Sequence, residues 1–272
     1  MPRRLAERDR RPPTLIIATL AASLCLVPTA RAQAHDSTAL WRIVHDGCVP
    51  DQEQHSNPSP CAYVSLRQGD TAGYAVLKDR RGRTQFLLIP TRKSPGIEDP
   101  ALLAPGAPQY WQAAWAARLY VFDSAGKDLP RNAVGMAINS RRSRSQAQLH
   151  IHIDCLRPDV VDQLTAHLTD IRDTWSALPF TLDGHTYTAR RVSSPDLTDV
   201  NPFALLSTSI PTGRPGMGDR TLVVVGATFA TDSGFILLSD VADSSHGDDA
   251  HGEDLQDHTC ALAENAPQRI KR

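Results

Sequence analysis

Two histidines lie one residue apart in the segment SQAQLHIHIDC, residues 145–155. Polar and apolar residues alternate here, which is typical of a β-strand. One face of that strand would carry Gln148, His150, His152 and Asp154, and the other would carry Leu149, Ile151 and Ile153. Two imidazoles about 6–7 Å apart along one strand can ligate a metal ion, exchange protons or attack as nucleophiles. The alternative interpretation is an ordinary polar face of a sheet.

A basic loop, NSRRSRSQ at residues 139–146, comes directly before this strand. Its Arg141, Arg142 and Arg144 alternate with serines, and guanidinium groups and hydroxyls are groups that bind phosphate. Alone, such a loop is more often a solvated surface. Beside the histidine strand, it indicates an imidazole that faces a phosphoryl group. A metal site formed by His150, His152 and Asp154 is the second interpretation.

The segments around this pair predict the elements that would hold it. Residues 36–49 are typical of a short amphipathic helix, residues 73–91 of a β-hairpin, and residues 134–139 of a strand. Further strands are predicted in TLVVVGAT and FILLSD, at 221–228 and 235–240. This mixed order predicts an α+β fold with a mainly antiparallel sheet flanked by helices.

Two more helices are predicted from apolar residues at helical spacing. In the first, over residues 110–122, the apolar face would carry Trp111, Trp115, Leu119 and Phe122. The second begins near Pro158, a residue suited to the first turn of a helix. Its apolar face would carry Leu164, Leu168, Ile171, Trp175 and Leu178.

Composition and the N-terminus narrow the class of protein. The chain has 272 residues, 41% hydrophobic residues and a net charge of −1, an ordinary globular composition that gives no reason to expect nucleic acid as a partner. Residues 1–32 contain a basic start, an apolar run of 17 residues at 14–30 and the tripeptide ARA. This pattern predicts an export signal, or alternatively an N-terminal membrane anchor. We therefore expect the body in the periplasm or at the periplasmic face of the inner membrane.

Four cysteines follow the export segment: Cys48, Cys61, Cys155 and Cys260. An even number in an oxidising compartment predicts two disulfides, for which three connectivities are possible. We favour Cys48–Cys61, which closes a short loop, together with Cys155–Cys260. A zinc site is less expected because the sequence has no Cys-x-x-Cys spacing.

Several segments in a fixed order resemble one protein family. The run SQAQLHIHI resembles the Ser-Gln and His-x-His-x-His signature of the histidine triad superfamily. Seven segments resemble the CDP-diacylglycerol diphosphatase branch of that superfamily: LWRIVHDGCVPDQEQHSNPSPC, GYAVLKD, AINSR, HIHIDCLRPDV, GHTYTARRV, NPF and LQDHTC. They extend from about residue 40 to residue 260. The resemblance implies a histidine triad-like domain over residues 36–262, with further strands toward its C-terminal end and a tail at 263–272.

The resemblance also implies a reaction, the hydrolysis of CDP-diacylglycerol to CMP and phosphatidate in phospholipid metabolism. In the family mechanism the middle histidine of the triad is the nucleophile and forms a nucleotidyl-histidine, which implies that role for His150. His152 would contact phosphate oxygens and the leaving group, and Gln148 replaces the first histidine of the triad. The residues expected to bind phosphate are Asn139, Ser145, Gln146, Arg141 and Arg144. Neither a metal nor a cofactor is expected.

Two other functions remain open at this point. The same chemistry could act on a soluble nucleotide pyrophosphate, whereas an apolar groove near a membrane would favour the lipid. A non-enzymatic periplasmic metal-binding module could use His150, His152, Asp154 and the acidic stretch 244–258, although a solvated loop is the better interpretation of that stretch. Further phosphate candidates, each more often a surface charge, are Lys78, Arg92, Arg157, Arg190 and Arg191.

Overall fold

An antiparallel sheet forms the centre of the computed structural model, which describes residues 36–67, 69, 71–213 and 216–270. Over these residues the sheet has nine strands in the order β1-β2-β3-β5-β4-β8-β9-β7-β6, and all neighbouring pairs are antiparallel. The strands are β1 (Tyr63–Ser65), β2 (Tyr74–Lys78), β3 (Phe86–Pro90), β4 (Val134–Ile138), β5 (Ile151–Cys155), β6 (Ser176–Ala177), β7 (Thr188–Val192), β8 (Leu222–Thr228) and β9 (Ser233–Ser239). The predicted α+β class with a mainly antiparallel sheet is confirmed. The expected export segment, residues 1–32, lies outside the described residues.

Five α-helical segments accompany the sheet in the described part of the chain. They are α1 (Ala39–Arg42), α2 (Val49–His55), α3 (Tyr110–Ala125), α4 (Pro158–Ala166) and α5 (Pro202–Ser207). None of the helices in that part is both long and apolar enough to cross a membrane. The predicted hairpin over 73–91 is confirmed, because β2 and β3 pair from Tyr74↔Pro90 to Lys78↔Phe86.

The first helical region is longer than predicted. Instead of ending at residue 49, it continues from α1 through a π-helical segment, Ile43–Cys48, into α2. Pro50 lies at the start of α2 and has no N–H to donate, so one regular helical hydrogen bond is lost there. The wider π-helical turn lies directly before this position.

Helix α3 covers one face of the sheet, as its tryptophan spacing predicted. Trp111 contacts Phe203 of α5, and Trp115 meets Phe235 of β9 edge to face. Leu119, predicted on the buried face, is instead 43% exposed. It lies about 80° around the helix from Trp111 at 100° per residue, at the margin of the buried stripe.

Helix α4 is shorter than predicted and ends at Ala166. The next residues form a turn in which the His167 ring bonds the Asp170 carboxylate at 2.8 Å. The residues after Ala166 include threonine and aspartate, which favour helices weakly. The helix therefore ends before the apolar residues at helical spacing do. Ile171 still packs with Leu164 in one apolar cluster, whereas Trp175 packs on the opposite cluster, beside α5.

Strands β4 and β5 lie inside the sheet and are buried on both faces. Leu149, Ile151 and Ile153 join the apolar cluster under α3, as the alternation predicted. The other face of β5, with His152 opposite Leu87 and Ala137, is covered by the segment 250–258. We therefore correct the expectation of a solvated loop at 244–258. Residues 244–247 are exposed, but Ala250 and Gly252–Leu255 include buried residues that pack onto the sheet.

Both expected disulfides are present. Cys48–Cys61 closes a loop of 13 residues in sequence separation, and Cys155–Cys260 joins positions 105 residues apart. The second disulfide joins the end of β5 to the chain just after the 250–258 segment. Beyond it, the C-terminal residues remain on the sheet domain, because Arg269 pairs with Asp123 and Asp128 around the end of α3.

Candidate active site

His150 and His152 lie side by side at the start of β5. Their ring centroids are 4.7 Å apart and their planes cross at 64°. Both side chains are buried, with residue exposures of 8% and 5%. They line a cavity of about 560 Å³, so this face of the strand is not an exposed polar sheet face.

The orientation of the His150 ring is fixed by the backbone. Its Nδ1 lies 2.7 Å from the carbonyl oxygen of Gln148, and only an N–H can donate to a carbonyl. The proton is therefore on Nδ1, and Nε2 carries a free electron pair. Burial, followed by the neighbouring His152, lowers the pKa of His150 to about 3. A buried imidazole held neutral in this tautomer is a competent nucleophile across the physiological pH range.

Glu253 supports the second histidine. Its Oε1 lies 3.3 Å from Nδ1 of His152 and accepts a hydrogen bond from Gln85 at 2.7 Å. Its Oε2 accepts from Asn139 at 3.2 Å, and its backbone N–H donates back to the Asn139 side chain. Burial alone would raise the pKa of Glu253, but hydrogen bonds from His152 and His258 hold it well below its ordinary value. The carboxylate therefore stays ionised beside the His152 ring.

The Nε2 atom of His152 is buried and has no hydrogen-bond partner among the described residues. The Nδ1 side of the ring is occupied by Gln85 and Glu253. A substrate atom in the cavity is the partner this arrangement leaves for Nε2.

His258 lies between two carboxylates. Its Nδ1 is 2.8 Å from Asp154, and its Nε2 is 3.4 Å from Glu253. These two partners raise the pKa of His258 to about 10, so the ring is positively charged at neutral pH. Asp154 also accepts from the Thr84 hydroxyl at 2.6 Å and from the Cys155 backbone at 2.8 Å. With these bonds, Asp154 is fully engaged and does not serve as a third ligand for a metal at His150 and His152.

Gln148 lies outside this group, which corrects its expected catalytic role. It is fully buried, its Nε2 donates to the carbonyl oxygens of Pro90 and Arg92, and its Oε1 accepts from the backbone N–H of Ser94. The amide therefore fastens the loop after β3 to the start of β5. The backbone carbonyl of Gln148, not its side chain, contacts the His150 ring.

Some side chains of the basic loop line the cavity, and others form ion pairs outside it. Arg144 lines the cavity while binding Glu98 through both carboxylate oxygens. Arg141 pairs instead with Asp219 at 3.1 Å and does not line the cavity, contrary to its expected contact with phosphate. Ser145 lines the cavity, and Gln146 both lines it and anchors the first helix through the Leu40 N–H.

The five further basic residues predicted as phosphate ligands also differ in whether they line the cavity. Lys78 is the member of this set that lines the cavity, where Arg80 and Arg81 accompany it. Arg92 binds Asp99, Arg157 binds Asp159 and Asp183, and Arg191 binds Asp232. Arg190 is in β7, which pairs with β9 away from β5, and does not line the cavity.

Sequence reasoning missed Gln85, Glu253 and His258. Gln85 is an isolated polar residue just before β3 and gives no pattern. Glu253 and His258 stand in an acidic stretch without strand or helix periodicity, and they reach the site only when residues 250–258 fold over β5. The available signal was the stretch LQDHTC, which contains His258 and was part of the family resemblance.

Comparison with known families agrees with this geometry. The sequence pattern of the CDP-diacylglycerol pyrophosphatase family matches residues 35–264, which is most of the chain. The match spans β1 to β9 and includes both histidines, Asn139, Glu253 and His258. A buried neutral imidazole beside a cavity with basic side chains is compatible with a pyrophosphate substrate. The chain belongs to the CDP-diacylglycerol pyrophosphatase family, whose members are hydrolases of the pyrophosphate bond in CDP-diacylglycerol.

Proposed function

We propose that the chain hydrolyses CDP-diacylglycerol to CMP and phosphatidate in two displacements, through a nucleotidyl-histidine on His150. The observation that carries this proposal is the Nδ1 contact of His150 with the Gln148 carbonyl at 2.7 Å. This contact places the proton on Nδ1, so the free electron pair of Nε2 is available toward the cavity. Burial keeps the ring neutral. Splitting one difficult substitution into two easier ones is the advantage of a covalent intermediate.

In the first displacement, Nε2 of His150 forms a bond to the cytidine-side phosphorus. The bridging P–O bond breaks, and phosphatidate leaves with its electron pair and takes a proton from Nε2 of His152. In the second displacement, water attacks the same phosphorus and gives a proton to His152. The P–N bond then breaks, and CMP leaves. Glu253 lies 3.3 Å from Nδ1 of His152 and holds the ring with Nε2 toward the reacting groups.

Phosphate charge in this mechanism is balanced by the cavity walls. Arg144, Ser145 and Asn139 line the cavity, and so do Lys78, Arg80 and Arg81. Positioned cations and hydrogen-bond donors stabilise the charge that develops on phosphoryl oxygens without any rearrangement during the reaction. Asn139 also binds Glu253, so phosphate contact and proton transfer share one hydrogen-bond network.

An apolar wall favours the lipid over a soluble nucleotide pyrophosphate. Leu40, Ile43, Pro60, Leu77 and Leu87 line the same cavity, and Ile43 is 39% exposed. Exposed apolar surface next to a charged pocket suits a substrate with a polar head and an apolar body. We propose that the diacylglycerol part lies along this wall, beside the first helical region.

We also propose that the domain is histidine triad-like, extends over residues 36–262, and acts after export to the periplasm or its membrane face. The antiparallel sheet with a histidine strand at its centre and the two disulfides support this view. The N-terminal segment 1–32 would serve as the signal or anchor.

Trapping the adduct tests the covalent step. CDP-diacylglycerol labelled on the cytidine-side phosphorus should leave label on wild-type protein after an alkaline quench, which preserves phosphohistidine. His150→Ala should take up no label and lose at least about 1,000-fold in turnover, whereas His167→Gln, at an exposed histidine paired with Asp170, should behave as wild type. A substrate chiral at that phosphorus should react with retention of configuration. Inversion, or label persisting in His150→Ala, would contradict the proposal.

A further inference from the structure

A second cavity of about 380 Å³ adjoins the catalytic one. Ser143 and His251 line both cavities, so the two share a wall. The second cavity is acidic, and its carboxylates are Asp183, Asp240, Asp248, Asp249 and Asp254. Arg142 is also on its wall, but its guanidinium is drawn toward Asp219, at 3.7 Å.

Most charges around this cavity already have partners. Asp183 binds Arg157 at 2.5 Å, and Asp254 binds His251 at 2.7 Å. Asp240 differs, because its Oδ2 is sealed from solvent and finds no hydrogen-bond donor among the described residues. The Asp240 side chain is only 9% exposed, whereas its Oδ1 is satisfied by the Val241 N–H at 2.7 Å. A buried carboxylate oxygen without a donor is costly unless a cation compensates it.

The atoms around this oxygen have the spacing of a metal site. Nδ1 of His185 lies 3.8 Å from Oδ2 of Asp240 and 2.7 Å from Oδ2 of Asp248. The three residues offer ligand atoms that all lie within 4.8 Å of one another. Tetrahedral Zn²⁺, bonded at about 2.0–2.1 Å, needs ligand atoms about 3.3 Å apart, which small rotations of these side chains would supply.

We propose that His185, Asp240 and Asp248 bind a divalent transition-metal ion of the Zn²⁺ class, with water completing its coordination. One imidazole and two carboxylates suit Zn²⁺, whereas Ca²⁺ needs six to eight oxygen ligands, more than this group provides. The proposal does not depend on the chemistry of His150.

The position of the ion gives it a structural task. His185 precedes β7, Asp240 follows β9, and Asp248 stands in the turn that leads into the 250–258 segment. The bound ion therefore fastens the start of that segment to the sheet, five residues before Glu253. We expect the ion to stabilise the fold because it binds the folded arrangement and not the unfolded chain.

Titration of Zn²⁺ alone into the chelator-treated protein tests the site. Calorimetry should give one saturable site and the melting temperature should rise. Asp240→Asn and His185→Gln should each weaken binding by at least about 100-fold, because removing a ligand costs more than disturbing its surroundings. His246→Gln is the matched control: the His246 side chain also pairs with a carboxylate at 2.7 Å but is 80% exposed, and the described part of the chain offers it no third ligand. Its affinity should stay that of wild type.

Two outcomes of the titration would overturn the site, and a third would come from a control variant. One is the absence of saturable Zn²⁺ binding. The other is wild-type affinity in both Asp240→Asn and His185→Gln, which would place the ion elsewhere. His150→Ala distinguishes binding in one cavity from binding in the other, and it should keep wild-type affinity for Zn²⁺. Loss of Zn²⁺ binding in that variant would assign the ion to the catalytic histidines instead.

Discussion

Glu253 and Asp240 are carboxylates buried to the same degree, 8% and 7% exposed, and each faces a histidine. Side chains of Gln85, Asn139, His152 and His258 surround Glu253, and they hold its pKa far below the ordinary value. Asp240 has an oxygen that no donor among the described residues reaches, and burial followed by the nearby Asp248 raises its pKa to about 6. Burial does not decide the charge of a carboxylate; the donors that reach it do.

Removing the charge of Glu253, the carboxylate that several side chains surround, should have the largest effect. Glu253→Gln keeps the shape of the side chain, but Gln85, Asn139, His152 and His258 then face an amide, whose NH₂ cannot accept a hydrogen bond and whose oxygen is a weaker acceptor. We expect turnover of CDP-diacylglycerol to fall about 100-fold or more, and the free energy of unfolding to fall by about 3 kcal/mol. Steady-state kinetics and urea unfolding measure the two effects. Wild-type turnover in this variant would mean that Glu253 does not act through His152.

Removing one donor from Glu253 should have a smaller, pH-dependent effect. The folded pKa of His258, about 10, is above its unfolded value of about 6.5. The unfolded chain therefore binds fewer protons between these values, and the wild-type stability due to His258 is complete below pH 6.5 and declines as pH rises toward 10.

In His258→Gln this decline should be absent, and at pH 6.5 the variant should be less stable than wild type by about 1–2 kcal/mol, because the ring is partly exposed. Urea unfolding from pH 6.5 to 9.5 compares the two proteins. Parallel pH profiles would show that His258 does not carry the charge.

Removing the charge of Asp240 should have the smallest effect on the free energy of unfolding. Without metal, this change should stabilise the protein rather than destabilise it. Without metal, Asp240→Asn should raise the free energy of unfolding at pH 7.5 by about 1 kcal/mol and change turnover less than twofold, because the folded protein no longer ionises a carboxylate that lacks donors. With saturating Zn²⁺ the order should reverse, and wild type should be the more stable protein. Chelator-treated and Zn²⁺-loaded samples melted in parallel measure this. A destabilised variant in the absence of metal would mean that Asp240 is already satisfied.

The sequence predicted the histidine strand but not the side chains that contact it. His150 and His152 were found because period-two alternation is local, and the β2–β3 hairpin and the four cysteines were equally readable. Glu253 and His258 come from a segment about 100 residues later whose contacts form only after the chain has folded. No local pattern encodes such a long-range hydrogen bond.

Gln148 and helix α4 show two other limits of sequence reasoning. The position of Gln148 in the motif indicated a role in the reaction, but its amide is used by backbone groups of residues 90–94, which composition does not reveal. The apolar spacing after Pro158 continued past Ala166 because apolar residues in a turn can fall on a helical period by chance and still pack in the core.

The disulfide Cys155–Cys260 changes how far apart His152 and Glu253 are in the unfolded chain. His152 and Glu253 are separated by about 100 residues, yet one lies three residues before Cys155 and the other seven before Cys260. Through the crosslink, the path between them is about ten residues. The entropy lost in bringing them together scales with the logarithm of that length, which lowers its cost by about 2 kcal/mol. The crosslink therefore acts as a tether that raises the local concentration of Glu253 around His152 before the sheet is complete.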